Sequence, residues 1–158
     1  MHGSNPKHIS NFHIAGINYR KSDAAIRGQF AISNDQYAVL LEHAPAYGVQ
    51  EFFVVSTCNR TEIYGFAADP AQLISLLCSQ TEGKAEVFAE LAYIKQGFDA
   101  VEHFFHVGAG LDSQILGDYE IVGQIKLAAK MAKTFDRVDA FTERLVNCML
   151  QASKAIKN

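Results

Sequence analysis

The chain has 158 residues, 49% of them hydrophobic and 20% charged, with a net charge of −3. That length and balance suit one compact domain with a sizeable core and exclude a disordered or fibrous chain. The negative balance excludes a protein that holds nucleic acid mainly by neutralising many phosphates, and leaves room for a focused basic patch at most.

Residues 1–11 are polar and expected to be mobile, and the opening MHGSNPKHIS has no apolar region that would make it a signal peptide. Phe12 to Tyr19 reads as a strand, with β-branched and aromatic residues set among small ones, and a basic loop follows. Ser33 and Gln36 fit a capping box, after which Tyr37, Leu40, Leu41 and Ala44 recur at helical spacing up to Pro45 and Gly48. Glu51 to Ser56 and Thr61 to Ala67 are two strand-like runs joined by a short polar link, a hairpin with Cys58 at or near its tip. Asp69 as N-cap and Pro70 at the first helical position start a second helix with Leu73, Leu76 and Leu77 on its apolar face, ending near Gly83.

Leu91 to Gln96 is short enough for a last strand, and three helical segments follow Gly97. The first starts at Asp99 and turns Val101, Phe104, Phe105 and Leu111 inward; the second starts near Asp118 and repeats Ile121, Ile125, Ala128 and Ala132. The third carries Phe141, Leu145, Cys148, Met149, Ala152 and Ile156, and reaches Asn158 with no glycine or proline stop, so the chain is expected to continue beyond it. The order strand, helix, strand, strand, helix, strand is the split βαβ arrangement. The expected fold is therefore α+β, a ferredoxin-like βαββαβ part over residues 12–97 with an appended C-terminal helical block over residues 98–158. No apolar run approaches a membrane span, and a cytoplasmic chain with no membrane partner is expected.

Cys58 is the sharpest chemical feature. A thiolate is the reactive form of cysteine, and a nearby cation or a set of backbone amides favours it, as Arg60 and the tip of the link can provide. The alternative, a cysteine serving as a small core residue, fits Cys78 and Cys148, which fall on apolar helical faces. Three cysteines without CxxC spacing indicate reduced thiols, with neither a disulfide scaffold nor a zinc site. His103 and His106 lie one turn apart, yet lack a third and fourth ligand, so no metal is expected; one of them can serve the cysteine as acid or base. Gly108 to Gly117 lacks GxGxxG and begins inside a helix, which rules it out as a dinucleotide loop. Arg20, Lys21 and Arg27 form a modest basic cluster that a solvated loop explains as well as an anion site does.

The segments STCNRTEIY, GLDSQILGDYEIVGQIK (Gly110 to Lys126) and AGINYRKSDAAIR closely resemble the N-terminal catalytic domain of the glutamyl-tRNA reductase family. The resemblance runs from about Phe12 to the end of the chain. It implies the first committed step of five-carbon tetrapyrrole biosynthesis, in which a cysteine matching Cys58 attacks the ester of glutamyl-tRNA. The resulting thioester is then reduced with NADPH to glutamate 1-semialdehyde. By the same resemblance Arg60 binds the glutamate side-chain carboxylate, for which a planar two-pronged donor is well shaped. Thr57, Asn59 and Ser113 help to hold the glutamyl group, and His103 assists proton transfer.

The family's Gly-Glu-Pro-Gln stands here as GDYE, so Asp118 offers a shorter carboxylate and Glu120 replaces an amide at positions that contact the substrate. Tyr19 stands where histidine is common, and Gly28 where glutamate follows the arginine. The resemblance also implies that NADPH is bound by a Rossmann domain beyond these residues, that a further C-terminal domain makes a homodimer, and that glutamate-1-semialdehyde aminotransferase is a candidate partner. Residues 1–158 are then one catalytic domain running into a truncated linker helix, not expected to complete hydride transfer alone. Two other readings stay open: a ferredoxin-like ligand-binding or interaction module in which Cys58 is incidental, and a self-contained thiol esterase.

Overall fold

Four strands, β1 (Phe12–Asn18), β2 (Phe52–Ser56), β3 (Arg60–Phe66) and β4 (Tyr93–Gln96), pair into one sheet in the order β2-β3-β1-β4, every pairing antiparallel. β1 and β2 thus run parallel with β3 inserted between them, the split βαβ topology of a ferredoxin-like domain. The computed structural model describes residues 7–111 and 120–157. The helices are α1 (Ala24–Gln29), α2 (Asn34–His43), α3 (Pro70–Cys78), α4 (Ala85–Leu91), α5 (Phe98–Gly108), α6 (Glu120–Thr134) and α7 (Ala140–Lys157).

Each boundary has a local cause. Ser33 and Asp69 close full capping boxes with Gln36 and Gln72, each worth about 1 kcal/mol to its helix, and Pro70 occupies the first turn of α3, where no amide is missed. α5 starts at Phe98 with Gly97 as N-cap, one residue ahead of the expected Asp99. α1 and α4 are helices where the sequence reads loop: both are short, α1 contains Gly28 and buries no residue, and α4 buries only Phe88, so neither carries a full apolar period.

The helical block explains why β1 and β3 are buried along their whole length. Packing one face of the sheet against α3 and α4 and the other against α5, α6 and α7 leaves β1 and β3 no solvated face, whereas the edge strand β4 stays largely exposed. On the helical-block side Phe53, Tyr64 and Phe104 form an aromatic stack with centroids 4.9–5.5 Å apart, and Phe12, Phe66 and Phe141 form another. α6 runs beside the edge strand β2, and the Tyr37 hydroxyl of α2 donates to the Ala128 carbonyl at 2.8 Å, tying both helices around that edge. The buried Glu51 accepts from the Asp139 and Thr142 amides and the Thr142 hydroxyl, capping α7 and fastening it to the sheet. Its other oxygen meets Lys7 at 3.4 Å, and Ile9–Asn11 form a 3-10 turn, so the polar start is held down from Lys7 onward.

The expected inward faces need two corrections. On α5, Leu111 is 52% exposed, and Ala100, Phe104, Val107 and Gly108 do the packing. On α7, Leu145 and Met149 are buried together with Thr142, Val146 and Ser153, whereas Cys148 and Ile156 face solvent, because the expected stripe mixed two neighbouring faces of one helix. The start of α6 near Asp118 lies outside the described residues.

Candidate active site

Thr57, Cys58 and Asn59 are the three residues linking β2 to β3, and none has a positive φ. The link is held instead by side chains and a cross-link bond: Thr57 N–H donates to the Arg60 carbonyl at 2.8 Å, and the Thr57 hydroxyl accepts from Asn59 N–H at 3.2 Å. A third restraint comes from α1, where Arg27 Nε donates to the Cys58 carbonyl at 3.0 Å while Nη1 of the same guanidinium holds the Ser22 carbonyl. Cys58 is exposed at the mouth of a cleft of about 310 Å3 lined also by Thr57, Asn59, Arg60 and, from the first turns of α6, Glu120 and Gln124. Ser113 and Asp118 lie outside the described residues.

Alternation along β3 places Arg60, Glu62 and Tyr64 on one face, turned to the helical block. Glu62 is fully buried and is the hub of the cluster. It accepts from Arg60 Nη1 at 3.3 Å, from the Tyr64 hydroxyl at 2.8 Å, from the Tyr93 hydroxyl of β4 at 2.5 Å, and it meets His103 Nε2 of α5 at 2.6 Å. Burial alone would raise this carboxyl; the His103 hydrogen bond and charge, then Arg60 and Tyr93, outweigh it and hold Glu62 down at about 2. Burial, with the Glu62 charge added, pushes the Tyr64 phenol well above its ordinary range, so Tyr64 stays a donor. Gly16 of β1 lies beneath: a Cβ there would meet Glu62 Cγ at 2.7 Å and the Tyr93 hydroxyl at 3.0 Å, so only glycine leaves room for the cluster.

His103 is only 9% exposed and lines a second cleft, of about 340 Å3, together with Asn18, Arg20, Lys21, Tyr93, Lys95 and His106. The path between the two clefts is through protein: Arg60 borders the cysteine, Glu62 touches Arg60, and His103 touches Glu62. Such a chain can hold charge and orient donors beside a nucleophile without exposing its carboxylate.

A sequence profile described as "Glutamyl-tRNAGlu reductase, N-terminal domain" matches residues 15–158. The chain belongs to that family. It is 51% identical over 152 residues to the glutamyl-tRNA reductase of Flavobacterium psychrophilum, covering 96% of this chain and 37% of that protein. It is 29% identical over 154 residues to the glutamyl-tRNA reductase of Rhodospirillum rubrum, covering 95% and 36%. The chain thus spans little more than a third of the length of these curated relatives. The fold is also that of a solved glutamyl-tRNA reductase from Methanopyrus kandleri, with a TM-score of 0.76 at 22% identity over 94% of this chain and 34% of that one.

Of the site residues expected from the sequence, the structure gathers Thr57, Cys58, Asn59, Arg60 and Glu120 around one cleft and joins His103 to them through Glu62. Glu62, Tyr64 and Tyr93 do not stand out in the sequence, and Arg27 enters there only as a member of a basic cluster. A lone carboxylate two residues from an arginine within the β-forming run TEIYGFA was the available signal, since a charge on a buried strand demands partners. The basic cluster divides: Arg20 and Lys21 border the His103 cleft, whereas Arg27 braces the cysteine link. Among the described residues no three His, Cys, Asp or Glu side chains form a metal-sized group, and no helix is long and apolar enough to cross a membrane.

Cys78 is half-buried and burial pushes its thiol up to about 11, whereas Cys58 and Cys148 are exposed. Iodoacetamide at pH 7 is therefore expected to modify Cys58 and Cys148 and spare Cys78, as peptide mass mapping would record. Arg27→Ala frees the Cys58 carbonyl, and if Cys58 is the acyl acceptor proposed below its acylation is expected to slow by about tenfold or more, because small misplacements of a nucleophile are costly. Its melting temperature should move by a few degrees at most, since Arg27 lies on an exposed helix that buries nothing.

Proposed function

We propose that this chain is the acyl-accepting part of a glutamyl-tRNA reductase, with Cys58 as the nucleophile. The observation that carries the reading is the placement of an exposed cysteine, on a link braced by three hydrogen bonds, directly beside the buried Arg60–Glu62–His103 cluster. The Cys58 thiolate attacks the ester carbonyl, the C–S bond forms as the C–O bond to the tRNA ribose breaks, and the ribose hydroxyl leaves with a proton. Arg60, fixed by Glu62, presents its fork to the glutamate side-chain carboxylate. Thr57, Asn59, Ser113, Asp118 and Glu120 hold the rest of the glutamyl group, and His103 handles a proton within reach of Glu62.

NADPH supplies the hydride that reduces the thioester to an aldehyde. The described residues do not suit it. Gly108 and Gly110 sit at the C-terminal end of α5, where the helix dipole is negative and repels a pyrophosphate. The cofactor belongs to the part of the full-length protein outside these residues, and no step on it is assigned to this chain. Homodimerisation through a C-terminal domain, a cytoplasmic location and transfer of the product to glutamate-1-semialdehyde aminotransferase belong to the same reading.

The test is single-turnover release of tRNA from two aminoacylated forms. Glutamyl-tRNA is expected to be discharged by the wild-type chain and glutaminyl-tRNA at least about a hundredfold more slowly, because an amide leaves the arginine fork unpaired. Equal discharge of both, or discharge unchanged in Cys58→Ser, would contradict the reading.

A further inference from the structure

The cysteine cleft does not stand alone. It shares Ser56 and Gln124 with the larger cleft beside it, about 480 Å3, which lies where α6 passes the outer edge of β2 and the start of α2. Val54, Leu127 and Met131 give this second cleft apolar walls, and Asn34 and Gln124 add two side-chain amides. Lys130 is the charged residue among the described ones lining it, and no carboxylate does. The Tyr37 hydroxyl is committed to the Ala128 carbonyl, and Leu127 is 64% exposed, open to whatever enters.

Resting on the reading of Cys58 as acceptor of a glutamyl group from tRNA, we propose that this second cleft binds the 3′-terminal adenosine of the aminoacylated tRNA. The ester oxygen joins the scissile carbonyl directly to the terminal ribose. With the carbonyl carbon at the Cys58 sulfur, the ribose lies in or beside the cysteine cleft, and the shared wall of Ser56 and Gln124 gives the base a way into the neighbouring space. The cleft has the size of ordinary small-ligand sites. Flat apolar walls suit the faces of a base, and a carboxamide pairs its acceptor and donor with the amino group and ring nitrogen of adenine. A single lysine with no competing carboxylate suits the 5′-phosphate of that nucleotide. One focused cation is also what a chain of net charge −3 can offer a nucleic acid end.

The test compares two acyl donors on the wild-type chain, on Leu127→Trp, which fills the cleft from an exposed position, and on Asn34→Ala, which removes an amide. The donors are glutamyl-tRNA and the α-thioester of glutamate with ethanethiol, which carries no nucleoside, and acylation of Cys58 is followed by mass. Each variant is expected to accept glutamate from tRNA about tenfold or more slowly and from the ethyl thioester at the wild-type rate. Adenosine 5′-monophosphate should slow the tRNA reaction of the wild type and have a weaker effect on Leu127→Trp. Full rates with tRNA in both variants would overturn the proposal while leaving Cys58 as acceptor, and so would equal slowing with both donors, which would mean that the cleft only supports the cysteine link. A wild-type chain that accepts glutamate from the thioester but never from tRNA would overturn this proposal and the reading beneath it.

Discussion

Glu62→Ala is expected to cost about 3–5 kcal/mol of stability and to lower the melting temperature by roughly 10 °C. It should also reduce acylation of Cys58 by at least about a hundredfold. The stability loss follows from the shared partner removed: a guanidinium 2% exposed, two phenols and an imidazole converge on one fully buried carboxylate, and alanine takes that acceptor away from all four. The activity loss follows from Arg60, which loses the contact that aims it. Glu62→Gln keeps the shape and separates the two effects: it should retain much of the packing yet lose the charge that balances Arg60 and His103.

A pH series tests the same residue. The folded state holds Glu62 at about 2 against an ordinary 4.5, so between those values the unfolded chain binds the extra proton. The stability that Glu62 contributes is therefore full above pH 4.5, declines as the pH falls, and is gone below about pH 2. Urea midpoints measured from pH 7 to pH 3 should drop more steeply for the wild type than for Glu62→Gln; parallel curves would show that Glu62 is not held as a charged hub.

Arg60→Lys is the second large effect. Lysine keeps the charge but offers one compact ammonium in place of a rigid fork that touches Glu62 on the sheet and borders the cysteine cleft, where the proposed function puts the substrate carboxylate. The expected loss is about 10- to 100-fold in acylation by glutamyl-tRNA, seen mainly as weaker binding, with the preference over glutaminyl-tRNA collapsing towards unity. An unchanged preference would remove Arg60 from carboxylate recognition and leave it a structural partner of Glu62.

Much of this architecture is legible in the chain because local signals agree. The capping box at Ser33, Asp69 as N-cap with Pro70 in the first turn of α3 and the β-forming runs around STCNR each name their own element, and their order gives the ferredoxin-like topology. Residues whose meaning depends on distant partners are not legible. Glu62 looks like an ordinary polar residue of a solvated strand until α5 and β4 bring His103 and Tyr93 over it. Arg27 reads as a loop charge because α1 is too short to announce itself, and its value lies in reaching a carbonyl 31 residues away. Spacing alone sets Cys148 on an apolar face, whereas α7 packs through Thr142, Leu145, Val146, Met149 and Ser153. Sequence periodicity finds a helix well, and it finds which side a neighbour will cover less well.

Transfer of glutamate from tRNA to Cys58 is the step on which the proposed function stands. It is tested most directly by incubating the chain with tRNA carrying isotopically labelled glutamate, quenching in acid and mapping the label by peptide mass spectrometry. A glutamyl thioester is expected on the peptide containing Cys58, absent in Cys58→Ser, with Cys78 and Cys148 unlabelled. Label on Cys148, or no label from a folded wild-type chain whose tRNA is nonetheless discharged, would contradict it.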